Sequence, residues 1–162
     1  MKSKNGLKNF AKQLNKIRGK DKELFYERVT KELAARFLSK VIKRTPVGKG
    51  TFEFTKDNKK RKLTNGGTLR RGWTTVAKLR VVKTGNVYQA TITNNVKYAS
   101  YVEYGHRQTP GRYVPAIGKK LKSGWVKGQF MMTISAEEIK SEAPAILQRH
   151  FIKFLKGAFH VK

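Results

Sequence analysis

Leu7, Phe10, Ala11, Leu14 and Ile17 recur at helical spacing ahead of Gly19, which predicts a short amphipathic helix at the N-terminus. A longer stripe follows. Leu24, Phe25, Val29, Leu33, Phe37, Leu38, Val41 and Ile42 trace one face of a helix from about residue 21 to 43. Asp21 stands where an N-cap is expected. Lys40, Lys43 and Arg44 suit the negative end of the helix dipole. Thr45-Pro46 ends the run, because the residue before proline is pushed out of the helical region.

Residues 46 to 72 read as a long loop with glycines at 48, 50, 66, 67 and 72. The span from 48 to 66 holds little apolar content to offset ordering, so it is expected to be mobile in the isolated chain. The period then becomes two. Trp73, Ala77, Leu79 and Val81, then Tyr88, Ala90 and Ile92, alternate with polar positions around Gly85-Asn86. This predicts a hairpin over 73–83 and 87–94 with a type II′ turn. Tyr98, Tyr101 and Val102 fit a short helix ending at Gly105, and residues 106 to 124 read as a second loop. Phe130, Met132 and Ile134 alternate as a third strand. Ser135 and Glu138 form a capping box that starts a last helix near 136. Its stripe is Ile139, Ala143, Ile146, Leu147, Phe151, Phe154 and Leu155, with Pro144 expected to kink or split it and Gly157 to stop it.

The order predicts an α+β fold: N-terminal helices, a small antiparallel sheet with a β-hairpin, and a C-terminal helix. No internal repeat is visible. The domain division is a basic helix or arm over 1–19, one α+β domain over 20–157, and a tail over 158–162. The length of 162 residues suits one domain with a sizeable core.

Charge changes the picture more than length does. The chain carries 37 Lys+Arg against 10 Asp+Glu, a formal net charge of +27. Such self-repulsion points to a polyanion, an acidic partner, or an assembly that supplies counter-charge. No acid occurs between Asp57 and Glu103, and none between Glu103 and Glu137. The loops and the hairpin are therefore basic, while acids gather in the helices. Lys59, Lys60, Arg61, Lys62, Arg70, Arg71, Lys119, Lys120 and Lys122 are the candidate nucleic-acid-facing residues. Each phosphate contact would add a salt-dependent increment to affinity. A solvated basic face is the plainer alternative. No helix-turn-helix, zinc-finger or RNP-type pattern offers sequence readout.

Other chemistries fall away. With no cysteine there is no disulfide, thiol nucleophile or Cys-based metal site. No apolar run approaches the roughly 18 residues of a membrane span. The Lys-rich start lacks a signal-peptide core and favours Lys over the Arg and Ser of a transit peptide. His106, His150 and His160 are too scattered for a metal triad, and His150, on the apolar stripe, reads as core or interface. Asp57-Asn58-Lys59 has the form of half a nuclease metal site, but only Glu53 stands near it among carboxylates. No phosphate-binding glycine motif occurs. The expectation is no enzyme and no cofactor.

The string Tyr98-Ala-Ser-Tyr-Val-Glu-Tyr-Gly-His-Arg107, a variable loop, then Trp125-Val-Lys-Gly-Gln-Phe-Met-Met-Thr-Ile-Ser135 resembles a family of tailed-bacteriophage neck and tail-completion proteins. Thr45-Pro46-Val47-Gly48 and Gly67-Thr-Leu-Arg-Arg-Gly-Trp73 match its N-terminal half. The resemblance spans roughly residues 20 to 155, with a longer and more basic stretch at Gln108 to Gly124. It implies a structural virion protein at the head–tail junction, assembled in the host cytoplasm. Its implied partners are copies of itself in a ring, other neck, connector and tail proteins, and double-stranded DNA held without sequence preference. No membrane is implied. Tyr98, Tyr101, Tyr104, His106, Arg107 and Trp125 are the candidate subunit-interface residues, of a type enriched at interfaces. The tyrosines divide evenly between core and interface, and Trp73 leans to the core. The competing reading from composition alone is a basic RNA-binding protein of ribosomal type.

Overall fold

The computed structural model describes residues 8, 12, 17, 19–48, 52–54, 60–62, 66–114 and 119–159. The expected helix over residues 7 to 17 falls almost wholly outside them, as do Lys59 and most of the 48–66 span expected to be mobile.

Helix α1, Gly19–Arg44, realises the long apolar stripe and buries Val29, Leu38 and Val41. It starts two residues before Asp21, which lies in its first turn rather than at its cap. Helix α4, Met131–Phe159, runs antiparallel beside it. Phe25 meets Phe151 and Phe154 at one end, and Lys40 meets Glu138 and Glu142 at the other. Between these helices in sequence come α2 (Thr68–Arg71), a 3-10 turn (Val76–Lys78) and α3 (Ala99–Tyr104).

The strands form two-stranded antiparallel ribbons. β1 (Phe52–Phe54) pairs with β2 (Lys60–Lys62), and β3 (Val81–Thr84) with β4 (Val87–Ala90). β5 (Gly105–Arg107) pairs with β8 (Trp125–Lys127), and β6 (Tyr113–Val114) with β7 (Lys119–Lys120). The β3–β4 register closes at Thr84↔Val87, leaving Gly85-Asn86 as the turn. Gly85 has φ of 60° while Asn86 does not take positive φ, the backbone signature of the expected type II′ turn.

Several expectations are corrected. The supposed strand over 130–134 is Phe130 followed by the first turn of α4, which begins five residues before the expected start. Met131, Ser135 and Ile146 face inward. A small polar residue inside the buried stripe disguised its helical period as alternation. Ser135 therefore does not cap: its hydroxyl donates to Met131 O at 2.7 Å within the helix. α4 is not split at Pro144 and passes Gly157 by two residues. The first hairpin strand is shorter than expected, because residues 76–78 coil into a 3-10 turn that brings both Trp73 and Leu79 into the core. Trp73 keeps only an isolated bridge to Asn94. The first loop contains β1, β2 and α2, and the second contains the end of β5, then β6 and β7, and leads into β8. Their Gly, Pro and Lys content disfavours strands locally, and cross-strand pairing overrides it.

The core joins Leu38 and Val41 of α1, Leu69 of α2, Trp73, Leu79 and Met131 of α4. One polar group is built into it. Thr45, fully buried at the end of α1, donates its hydroxyl to Val41 O at 2.7 Å and accepts from Trp73 Nε1 at 2.7 Å. Its carbonyl accepts from Arg70 Nε at 3.1 Å and Nη2 at 2.7 Å. The Thr-Pro corner and the Gly67–Trp73 segment are thus one joint. Thr45→Val keeps the shape and strands the indole N–H in the core. We expect a loss of about 1–3 kcal/mol, read as a lower urea midpoint at unchanged m-value.

Candidate assembly and nucleic-acid interface

Beyond the core, β5, β6, β7 and β8 line up as one hairpin arm. Gln108 N donates to Gly124 O at 2.9 Å, Gly111 N to Leu121 O at 2.8 Å, and Leu121 N to Arg112 O at 2.9 Å, which bridges the two strand pairs. The arm is fastened where α3 enters it and where it leaves for α4. Gln129 N donates to Val102 O at 2.8 Å and Phe130 N to Glu103 O at 3.0 Å.

Glu103 is the centre of that joint. It is 4% exposed, the one buried carboxylate among the described residues. Its side chain accepts from Met132 N and Thr133 N at 3.0 Å each and from Thr133 Oγ1 at 2.9 Å. The first N–H groups of a helix have no partner within it, and the dipole favours negative charge there. Phe130, just before α4, takes φ of 49° to bring those amides round. Glu103 lies 29 and 30 residues from its partners, so α3 caps α4 across the arm.

The aromatic candidates surround this joint. Tyr98, just before α3, and Tyr101 and Tyr104 on it follow at three-residue steps and are 45%, 58% and 63% exposed; Trp125 is 54% exposed. None is core. The Tyr101 and His106 rings lie 5.7 Å apart. The Trp125 indole rests against Gly105, whose absent Cβ would sit 3.1 Å from Cζ2. Arg107 pairs in register with Trp125.

The basic candidates separate into two kinds. Arg70 is fastened to the Thr45 carbonyl, and Arg71 Nη1 donates to Gly66 O at 3.0 Å. Lys60, Arg61 and Lys62 lie on β2. Lys119, Lys120 and Lys122 are exposed on the arm, beside Arg112 and Lys127, two cations of the same acid-free stretch outside the candidate set. The acid-free stretch from Glu103 to Glu137 was the available signal, since it covers the whole arm.

Most of the acids whose side chains are described are occupied elsewhere. Lys40 Nζ reaches Glu138 at 2.9 Å and Glu142 at 2.8 Å, and Arg44 also pairs with Glu138. His150 Nε2 lies 2.6 Å from Glu32, so the histidine on the apolar stripe sits at the contact between helices. Hydrogen bonding from Lys40 holds the Glu138 carboxyl below its usual range, with the Arg44 and Lys40 charges helping and partial desolvation opposing. Its contribution is therefore present above the unfolded carboxylate pKa and fades as pH falls through the lowered value. Among the described residues no cluster of three His, Asp or Glu could hold a metal ion, and no helix is long and apolar enough to cross a membrane.

Residues 8–105 match the family model described as "Bacteriophage HK97-gp10, putative tail-component". The chain belongs to this family. The match holds both halves of the Thr45 joint and the whole of α3, and ends at Gly105 where the arm begins. Trp125–Ser135, part of the resemblance read from the sequence, lies beyond it. No curated protein and no solved structure matches the chain. This HK97-gp10-like chain is a structural tail component, in keeping with the resemblance and not with the RNA-binding alternative.

Proposed function

We propose that this tail component completes the head–tail connection, assembling as a ring of identical subunits around the DNA channel, with no hydrolytic or transfer activity. Its other partners are the neck, connector and tail proteins stacked on that ring. The observation that supports this reading is the aromatic face of α3. Three tyrosines and Trp125 stand exposed around a joint that is itself rigidly hydrogen-bonded. Large amphipathic side chains on a fixed element are what an assembly interface uses, and heterologous contacts that close make rings.

Tyr101→Ala with Tyr104→Ala should break assembly without unfolding the chain, because both side chains are exposed. Interface aromatics of this kind are worth about 2 kcal/mol or more each, roughly 30-fold in affinity. Light scattering after size exclusion, with electron microscopy of particles completed by the variant, reads the outcome. Unchanged stoichiometry and normal joined particles would remove the tyrosine face from the interface.

A further inference from the structure

We propose that the hairpin arm, over residues 105–114 and 119–127, is the surface that grips the phosphate backbone of duplex DNA. This rests on the head–tail reading for the source of the duplex, and the charge of the chain argues for it independently.

The counter-charge has to come from outside. Glu23 pairs with Lys83, Glu32 with Arg36 and His150, Glu138 and Glu142 with Lys40, and Glu103 with the amides of α4. Asp21, Glu27 and Glu137 are the exposed carboxylates that make no ion pair with another described residue. A second copy brings the same surplus, so a ring multiplies the net charge of +27 by its copy number. Self-association concentrates positive charge and neutralises almost none of it.

The arm is where cations gather with no acid among them. Arg107, Arg112, Lys119, Lys120, Lys122 and Lys127 are all exposed. None of their side chains bonds to another described residue, in contrast to Arg70 and Arg71. An acidic protein would be the other taker of such a surface. Among the described residues of the arm the exposed large apolar side chains are Tyr113 and Trp125, beside the aromatic face. Protein–protein interfaces have cores depleted in charge, whereas protein–DNA interfaces are more polar and far more positive. The shape agrees. Its two sides pair on either side of a turn at Gly111, whose φ is 83°, through Gln108 N to Gly124 O and Leu121 N to Arg112 O, so it is a ribbon two strands wide. A two-stranded ribbon can enter the major groove or follow a backbone. Cations alone neutralise phosphates without reading bases.

The test compares three full-length chains binding a mixed-sequence DNA duplex across a salt titration. The first is unaltered. The second carries Arg112→Gln, Lys119→Gln, Lys120→Gln and Lys122→Gln. The third carries the same charge change on the helices, Lys20→Gln, Lys31→Gln, Lys140→Gln and Lys156→Gln. The arm variant should flatten the slope of log K against log salt by about 0.9 per lost contact, and the helix variant should change it far less. Equal changes in both, or a full slope in the arm variant, would overturn the proposal. Lysine acetylation of the unaltered chain gives a second readout that needs no variant. Bound duplex should protect Lys119, Lys120 and Lys122 more than Lys31 and Lys140, and uniform protection would count against the arm. Displacement of the duplex by polyglutamate at equal charge would also overturn it, by assigning the arm to acidic protein. Failure of the head–tail reading looks different: the arm binds duplex as described, but labelled chain is missing from the head–tail joint of finished virions.

Discussion

Replacing Glu103 with alanine should lower the unfolding free energy by about 2–4 kcal/mol, a fall in Tm of roughly 4–16 °C for a chain of this size. The estimate follows from what the carboxylate holds. Met132 N and Thr133 N are first-turn amides of α4 and take their bonds from Glu103, as does the Thr133 hydroxyl. Alanine leaves these donors without a partner at a half-closed site and removes a negative charge from the helix N-terminus. Glu103→Gln separates the two effects. It keeps one acceptor oxygen but turns an NH2 group toward N–H donors, so it should recover less than half of the loss. Amide exchange at Met132 and Thr133 should speed up in both variants, while exchange in α1 changes only with global stability. A loss below about 0.5 kcal/mol, equal for Ala and Gln, would reduce Glu103 to a surface-grade cap.

Much of the helical scaffold was legible because its signals are local. The α1 stripe, its Thr-Pro stop and the Gly85-Asn86 turn each depend on neighbours a few residues away. The start of α4 was not legible. Its true cap is Glu103, supplied from another element, and Ser135 occupies an inner position that usually holds an apolar side chain. Ser135 can sit there because it donates to Met131 O and accepts from Arg44 Nη1 at 3.2 Å. The arm was illegible for a related reason. Gly, Pro and Lys argue for a loop, and the pairing that makes strands of these segments crosses up to about twenty residues of chain.

The candidate site was legible as residue types and less so as roles. Tyrosines on a short helix and an acid-free basic stretch could be read from the chain, but not that the tyrosines stand exposed, since core and interface were equally open to them. Which arginines are committed to the fold could not. Arg70 and Arg71 look alike in Gly67–Trp73, yet Arg70 is spanned to Thr45 O across 25 positions and Arg71 folds back on Gly66 O. Glu103 shows the same limit: as one letter of a motif it carries no hint of α4, 29 residues on.

Gly128→Ala should be at least as damaging, at about 3–5 kcal/mol or outright failure to fold. Gly128 is buried where β8 passes under the end of α3. An added Cβ would clash with the Glu103 carbonyl oxygen and stand 2.6 Å from Tyr104 C and 2.8 Å from Gly105 N. All three are backbone atoms, so no side chain can swing aside. Relief requires opening the Gly105↔Lys127 register or the bonds from Gln129 N and Phe130 N, and either movement drags Glu103 off the α4 amides. The two sites should therefore couple. Where soluble protein is obtained, Gly128→Ala should cost less in a Glu103→Ala background than alone, by about 0.5–3 kcal/mol in a double-mutant cycle. Gly157→Ala is the matched control. It lies within α4 with nothing within 4 Å of its added Cβ, and alanine there should be neutral or stabilising by up to about 1 kcal/mol. Additive losses at Glu103 and Gly128 would mean that the cap and the close approach are separate features, and that the arm is not fastened through a single joint.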